Sequence, residues 1–358
     1  MRRLSRSAAL GITGVLLLVL SIDRTGASEP AKVWHDPSPH AVQFVTVDEG
    51  VRLEVLDWGG SGRDLVLLAG SGNTAHVFDE FAPKLTRFGH VYGITRRGYG
   101  ASTAPEDGYS EQRLAEDVLH VIEKLKLKAP VLIGHSMSGE EMTRLGDDHS
   151  ALLGGLVYLD ALQDPKDVPA DNPQYMALVK KLPAGIHKTG DITKDDKSSF
   201  AALARWYKWR IGVAFPESEF RNRYEANPDG SVGKFRTSDR IYDLIGKGAE
   251  GRDYSKISVP ILSITNVWHC TQAAGPGYAC IEHPDHQPDY VPKNDQERAN
   301  IEAFDKADDA YSLRWSRDLL RAKGSVRLVD IVGANHYLFL SDEDDVLHEI
   351  GAFVEHLY

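Results

Sequence analysis

The sequence has few cysteines, no excess of positive charge and no long apolar run beyond its first residues. The formal net charge of the 358-residue chain is −11 at pH 7. Nucleic acids and anionic membrane surfaces bind clustered Lys and Arg, so this charge argues against both as partners. No internal repeat and no low-complexity segment is found. With 42% hydrophobic and 26% charged residues, the composition is that of a globular protein.

The N-terminus has the three parts of a secretory signal peptide. The basic stretch "MRRLSR" precedes the apolar run "AALGITGVLLLVLSI", and "RTGAS" then supplies small residues. The apolar run is short and broken by glycine, which favours a signal over a membrane span. We therefore predict a signal peptide at residues 1–27, cleaved after Ala27, and a periplasmic or secreted mature protein with no membrane span. An uncleaved N-terminal anchor is the alternative.

The two cysteines, Cys270 and Cys280, stand close together in the sequence. An even number of cysteines in an exported chain predicts a disulfide, here one that closes a small loop. A metal bound by two thiols and a reduced buried pair are the alternatives.

Apolar runs alternate with amphipathic stretches along the remaining chain. "VQFVTVDEG" and "VRLEVLDWGG" alternate in polarity and predict a hairpin. Continuous apolar runs of the kind found in buried parallel strands follow, separated by helical patterns; they are "DLVLLAG", "HVYGITRRG", "APVLIG", "LGGLVYLDAL", "VPILSITN" and "SVRLVDIVG". The fold class predicted is α/β, a mostly parallel central sheet with helices on both faces.

One long stretch, residues 163–256, contains no convincing strand. It is rich in aromatic residues and too long for a plain loop between two strands. We predict a mainly helical cap here, inserted after the sixth strand over the carboxyl edge of the sheet. Most of its aromatic side chains are expected to form the core of the cap. The core domain then comprises residues 28–162 and 257–358.

A serine stands where a predicted strand meets a predicted helix, in "VLIGHSMSG". Small residues flank Ser136, with Gly134 before it and Ser138 and Gly139 after it. The pattern resembles the nucleophile elbow of the α/β-hydrolase superfamily, although Ser138 replaces the usual glycine. The alternative is a serine that only caps a helix. The resemblance extends over residues 41–358 and implies that Ser136 is the nucleophile.

The resemblance also implies the oxyanion hole and the base. Backbone N–H groups of Ser71, in the turn "LLAGSGN", and of Met137 would stabilise the oxyanion. This turn has Ala69 where the superfamily usually has histidine. His336, after the last predicted strand in "VGANHYLFL", matches the catalytic base.

The acid of the triad has two candidates. Most relatives place it after the strand that follows the cap, but no acid directly follows "PILSITN"; the nearest carboxylates are Glu282, Asp285 and Asp289. Asp160 ends the strand "LVYLD", where some relatives, including haloalkane dehalogenases, carry the acid. We predict Asp160, with Asp285 as the alternative.

An arginine-containing turn and a histidine-rich segment are both interpreted as structural rather than catalytic. The turn "RRGYGAS" resembles the superfamily's Arg-Gly-x-Gly-x-Ser turn, and we expect its Arg97 to bond loop backbone rather than substrate. The segment "WHCTQAAGPGYACIEHPDHQPDY" contains His269, His283 and His286, but its spacing fits no established ligand pattern. No metal and no cofactor are therefore predicted.

A serine nucleophile implies acyl transfer through an acyl-enzyme. The prediction is an exported serine hydrolase acting on a small-molecule substrate, a carboxylic ester of small or apolar groups. Amide or C–C bond hydrolysis on the same triad is the first alternative. A non-catalytic binding protein on the same scaffold and a metal-dependent hydrolase are the others.

Overall fold

An eight-stranded sheet forms the centre of the fold. The computed structural model describes residues 34–186, 190–267, 270–272, 278–280 and 291–357, with only the backbone at 267, 270–272 and 278–280. Residues Asp36–Tyr358 form one unit. The predicted signal peptide lies outside the described residues.

The described strands are β1 (Ala41–Asp48), β2 (Val51–Gly59), β3 (Asp64–Leu68), β4 (His90–Ile94), β5 (Val131–His135), β6 (Gly155–Leu159), β7 (Tyr224–Ala226), β8 (Val232–Phe235), β9 (Ile261–Val267), β10 (Cys270–Gln272), β11 (Tyr278–Cys280) and β12 (Val326–Val332). The order in the large sheet is β1-β2-β4-β3-β5-β6-β9-β12. β1 pairs antiparallel with β2, and β2 with β4, whereas the remaining neighbours pair parallel. The predicted hairpin and mostly parallel sheet are both confirmed.

The described α-helices are α1 (Ala82–Leu85), α2 (Glu111–Leu125), α3 (Ser138–His149), α4 (Pro173–Val179), α5 (Phe200–Ile211), α6 (Glu217–Arg223), α7 (Asp239–Gly248), α8 (Asp295–Leu319), α9 (Leu338–Ser341) and α10 (Glu343–Glu355). Short 3₁₀ helices cover Ala75–Phe78, Ser150–Leu152 and Pro169–Asp171. None of the helices in the described ranges is long and apolar enough to cross a membrane.

Helix α2 shows how the sequence pattern produces packing. The Ser110 hydroxyl accepts a hydrogen bond from the Arg113 backbone N–H and caps the helix N-terminus. Leu114, Val118 and Ile122 recur every four residues and are all buried. With α3 and α8, the helix covers one face of the sheet. The opposite face packs against α9, α10 and apolar residues of α5 and α6.

The segment between β6 and β9 holds α4, α5, α6 and α7, as the predicted cap requires, but the prediction that it lacks strands is wrong. β7 and β8 form a two-stranded antiparallel ribbon. The sequence "NPDG" at 227–230 joins them, and Pro-Asp-Gly is a strong turn signal that the apolar pattern alone did not reveal.

Most aromatic side chains of this segment form its core. Tyr207, Phe215 and Phe220 are buried and pack against one another, whereas Trp209 is 41% exposed. All three belong to the apolar cluster that also contains residues of β3, β5 and β6, so their burial packs the inserted segment onto the sheet.

Candidate active site

The turn between β5 and α3 holds Ser136 in a strained backbone conformation. Its φ is +54°, a left-handed value that side chains other than glycine seldom adopt. A Cβ added at Gly134 would lie 2.5 Å from Ser138 Oγ, and one added at Gly139 would collide with the Ala161 carbonyl. Both glycines are therefore needed for the close approach of β5, α3 and the end of β6.

Ser138 uses its hydroxyl where the superfamily usually has a glycine. Its Oγ lies 3.0 Å from the Leu68 carbonyl oxygen and 2.9 Å from the His135 carbonyl oxygen. The side chain is fully buried. The departure from the usual pattern therefore bridges the ends of β3 and β5 instead of obstructing the turn.

Asp160 and His336 meet above the carboxyl edge of the sheet. Asp160 directly follows β6, and His336 lies between β12 and α9. His336 Nδ1 is 2.5 Å from Asp160 Oδ2. The Asp160 residue is 4% exposed, whereas the His336 side chain is 38% exposed. A buried carboxylate thus orients the histidine ring, whose other nitrogen remains available.

The backbone of Asp160 is itself constrained. Its φ is +43°, and its N–H donates to the Ile264 carbonyl at 2.8 Å. Within the described residues, Ser136 Oγ and His336 Nε2 are not joined by a hydrogen bond. Catalytic hydrogen bonds of this type often form only when substrate is bound.

His135, next to Ser136, holds the loop that carries His336. The Nε2–H of His135 donates to the His336 carbonyl at 2.9 Å, and the two rings lie 4.6 Å apart. Burial, and secondarily the nearby His336, lowers the pKa of His135 well below its usual value, so this ring is neutral. No role was predicted for His135 from the sequence, although its place beside the serine was a signal.

The turn at residues 70–73 faces the elbow. Asn73 N–H bonds the Gly70 carbonyl, so Ser71 and Gly72 form the centre of a tight turn, and Gly72 has φ +74°. A Cβ on Gly70 would lie 3.0 Å from Ser136 Cβ, which shows how closely this turn approaches the serine. Met137 is the N-cap of α3, where backbone N–H groups have no partner within the helix. Both predicted oxyanion donors are therefore on backbone next to Ser136.

Arg96 and Arg97, adjacent in the chain, bind different partners near this turn. Arg97 is buried and forms a bidentate ion pair with Asp117 on α2, at 2.6 and 2.7 Å, so the expectation that it bonds loop backbone is wrong. Its neighbour Arg96 does so instead, donating from Nη2 to the Ala69 carbonyl at 3.0 Å while Nε pairs with Glu141.

Polar side chains of the inserted segment lie beside the turn at residues 70–73. A Cβ on Gly72 would lie 3.0 Å from the Tyr242 hydroxyl and 3.7 Å from Arg223 Nη2. Arg223 Nη2 also lies 3.2 Å from the Tyr207 hydroxyl. The Arg223 side chain is 11% exposed, and its Nε has no hydrogen-bond partner among the described residues. The nearest carboxylate, that of Glu219, is 3.9 Å away.

The structure does not describe the side chains of several predicted site residues. Asp285, the alternative acid, and the histidines 269, 283 and 286 lie outside the described residues. The backbones of β10 and β11 place Cys270 opposite Cys280 in antiparallel register. The side chains that the predicted disulfide would join are not among those described.

A second cluster of reactive side chains, which the sequence analysis missed, comprises Asp36, His40, His76 and Asp79. His76 lies in the 3₁₀ helix after β3, and Asp79 directly follows it. Burial alone lowers the pKa of His76, but the carboxylates of Asp36, Asp79 and Glu54 around it outweigh burial and raise the pKa to about 12. The cluster thus favours a positive charge at its centre.

Comparisons with known proteins agree with this geometry. The sequence model described as "Alpha/beta hydrolase family" matches residues 65–349. Esterase Rv0045c of Mycobacterium tuberculosis is 28% identical over 181 residues, 49% of this chain and 56% of that protein. N-formylmaleamate deformylase of Pseudomonas putida is 28% identical over 158 residues, 43% of this chain and 56% of that protein.

Among solved structures, E-2-(acetamidomethylene)succinate hydrolase superposes with a TM-score of 0.61 at 18% identity, covering 88% of this chain and 99% of that one. This likeness concerns the fold alone. The chain spans about half or less of the length of the first curated relatives that it matches.

Proposed function

The chain belongs to the alpha/beta hydrolase family, and we propose that it is an exported serine hydrolase that cleaves carboxylic esters of small or apolar groups. The observation that supports this most strongly is the bond between His336 Nδ1 and Asp160 Oδ2, on the sheet edge that also holds Ser136. The order of the three residues along the chain agrees with that of the family.

In the proposed reaction, Ser136 Oγ attacks the ester carbonyl carbon while His336 Nε2 removes its proton. Asp160 stabilises the imidazolium that forms. The carbonyl oxygen becomes negatively charged and accepts hydrogen bonds from the N–H groups of Ser71 and Met137. His336 then protonates the leaving alcohol, which departs and leaves an acyl group on Ser136. Water, deprotonated by His336, hydrolyses this acyl-enzyme.

A panel of p-nitrophenyl esters with acyl chains of increasing length tests the proposal. We expect turnover that falls by at least about 10³-fold in Ser136→Ala, since the residual rate of a triad variant comes only from binding and the oxyanion hole. Ser138→Ala is the matched control, because it removes a neighbouring hydroxyl that bonds only backbone, and it should retain most activity. Equal turnover by wild type and Ser136→Ala would refute the assignment.

The buried Arg223 favours a second candidate, an amide hydrolase for substrates that bear a carboxylate. A guanidinium with an unbonded Nε–H, beside the proposed oxyanion turn, can bind a carboxylate through two parallel hydrogen bonds. The relative named N-formylmaleamate deformylase is consistent with such chemistry.

Paired substrates with and without a terminal carboxylate separate the two candidates. If the second is right, Arg223→Gln raises KM for the carboxylate-bearing member about 10- to 100-fold, as loss of a charged hydrogen bond of 1.5–3 kcal/mol predicts. Arg221→Gln, on the same helix, is the control and should change neither KM. Preference for the uncharged member in wild type would favour the first candidate.

Export and the disulfide remain part of the proposal and have their own test. The first 27 residues support cleavage after Ala27, and the antiparallel register of Cys270 and Cys280 supports their pairing. Intact mass of protein from the periplasm or medium should show a chain that starts at Ser28 and is 2 Da lighter than its reduced form. Retention of residues 1–27 in a membrane fraction would favour the anchor.

The remaining alternatives give different results in the same assays. A non-catalytic binding protein would show no turnover of any ester or amide. A metal-dependent hydrolase would lose its turnover on dialysis against a chelator at a temperature where the fold is intact.

A further inference from the structure

We propose that Asp36, His40, His76 and Asp79 form a structural metal site that binds one Zn²⁺. One ligand atom from each side chain can be chosen so that all lie within 4.8 Å of one another. Two imidazoles with two carboxylates are a donor set that Zn²⁺ accepts, usually in four-coordinate geometry. The inference does not depend on the proposed hydrolase reaction.

Several separations between possible donor atoms are close to those around a shared ion. Ligands of a tetrahedral Zn²⁺ with bonds of about 2.0–2.2 Å lie roughly 3.3 Å from each other. In the cluster, His76 Nδ1 lies 3.5 Å from Asp36 Oδ2 and 2.9 Å from Asp79 Oδ2. His40 Nδ1 lies 3.0 Å from Asp79 Oδ1. The four-atom set extends up to 4.8 Å, so the widest of its separations would have to shorten for one ion to contact all four side chains.

Two of the possible ligand atoms are buried and have no hydrogen bond of good geometry. His40 Nδ1 and Asp79 Oδ1 are inaccessible to solvent and lie 3.0 Å apart, but neither has hydrogen-bond geometry with any described residue. Their side chains are each 3% exposed. Buried polar atoms without partners are costly, and a shared cation would satisfy both.

The surroundings supply the outer support that metal ligands require. His76 Nε2 lies 3.6 Å from Glu54 Oε1, and metal-bound histidines commonly direct their second nitrogen to a carboxylate. Asp79 Oδ2 also accepts from Ser218 Oγ at 2.5 Å. Three carboxylates with two imidazoles leave an excess of negative charge in a largely buried place, which a divalent cation would offset.

The position of the cluster indicates a structural role. Four side chains would complete the coordination, whereas a catalytic Zn²⁺ keeps one position for water or substrate. Asp36 and His40 precede β1, while His76 and Asp79 follow β3, so the ion would fasten the start of the domain to its centre. Through Ser218 the same site contacts α6 of the inserted segment.

Metal analysis of the full-length chain without a polyhistidine tag tests the proposal. After dialysis against a chelator, we expect Zn²⁺ to rebind at one ion per chain and to raise Tm. Co²⁺ in its place should give the intense visible bands of a tetrahedral site, a readout that needs no variant. Failure of the folded wild type to bind either ion at tens of micromolar would overturn the proposal.

Variants then locate the ion. His40→Gln should weaken Zn²⁺ binding more than about 100-fold, and Glu54→Gln about 10- to 100-fold, the usual cost of losing an outer partner. His90→Gln, a half-buried histidine paired with Asp57, and His283→Gln should bind like wild type. Unchanged Zn²⁺ affinity in a folded His40→Gln protein, or loss of binding in His283→Gln, would refute the assignment to this cluster.

Discussion

Replacing Asp160 by asparagine removes one negative charge from the hydrogen bond to His336 and changes little else. Asparagine has nearly the same shape, and it tolerates the left-handed backbone that Asp160 adopts at φ +43°. The variant should therefore fold. Its amide can donate to His336 Nδ1, which would stabilise the wrong tautomer of the ring and leave no free base toward Ser136.

The expected loss follows from the geometry. The two atoms are 2.5 Å apart, Asp160 is buried and His336 is partly exposed. With an effective dielectric constant of about 20 to 40, the carboxylate stabilises the imidazolium by ~3–7 kcal/mol. This corresponds to a fall of roughly 10² to 10⁵ in kcat.

The assay is hydrolysis of p-nitrophenyl acetate by wild type, Asp160→Asn and Asp285→Asn under identical conditions. We expect Asp160→Asn to lose kcat within that range and Asp285→Asn to stay within about threefold of wild type. The tautomer effect predicts that KM changes little in both. An inactive Asp285→Asn with an active Asp160→Asn would show that Asp285, and not Asp160, is the acid.

Three further predictions concern the supports of the site and the stability of the fold. His135→Phe removes the hydrogen bond to the His336 carbonyl and should lower kcat roughly 3- to 10-fold at unchanged KM, which corresponds to about 1 kcal/mol. His135→Gln keeps a hydrogen-bond donor and should retain most activity in the same assay. Gly70→Ala places a Cβ 3.0 Å from Ser136 Cβ and should slow burst-phase acylation at least about tenfold. Its Tm should also fall, by the amount typical of overpacking that costs about 1–3 kcal/mol. An unchanged burst rate would contradict the close approach of the turn to the serine. Burial, then acidic neighbours, raises the pKa of Asp305 to about 7, so the stability that its protonated form provides is complete below about pH 4 and is lost as the pH rises to 7. Asp305→Asn should therefore reduce the fall in calorimetric Tm between pH 5 and pH 8. In wild type this fall corresponds to up to ~3 kcal/mol in free energy of unfolding, because about two pH units of the window lie above pH 5. Parallel pH profiles of the two proteins would refute this.

The strands and helices of the core could be predicted because each is specified by a local pattern. The continuous apolar runs at β3, β5 and β6 correspond to strands buried on both faces. The apolar residues that recur every four positions on α2 form its buried face. Because the carboxyl ends of parallel strands share one edge, the residues following β5, β6 and β12 could also be expected to converge.

The features that sequence did not reveal depend on partners distant along the chain. Arg97 pairs with Asp117 rather than with backbone because α2 lies beside its turn, a fact of packing rather than of local pattern. His40 and His76 meet only because the lead-in to β1 folds back beside the 3₁₀ helix after β3. The β7–β8 ribbon did have a local signal at residues 227–230, but its strands are too short to show an alternating pattern.

The most direct test of the central claim is covalent labelling of the nucleophile. Incubation with a fluorophosphonate, followed by peptide mass spectrometry, should place a single covalent adduct on Ser136, because a phosphonylated serine mimics the oxyanion intermediate. Labelling should vanish in Ser136→Ala and slow strongly in His336→Ala, while Ser138→Ala should label like wild type. An adduct on another residue, or no adduct on folded and intact protein, would contradict the account.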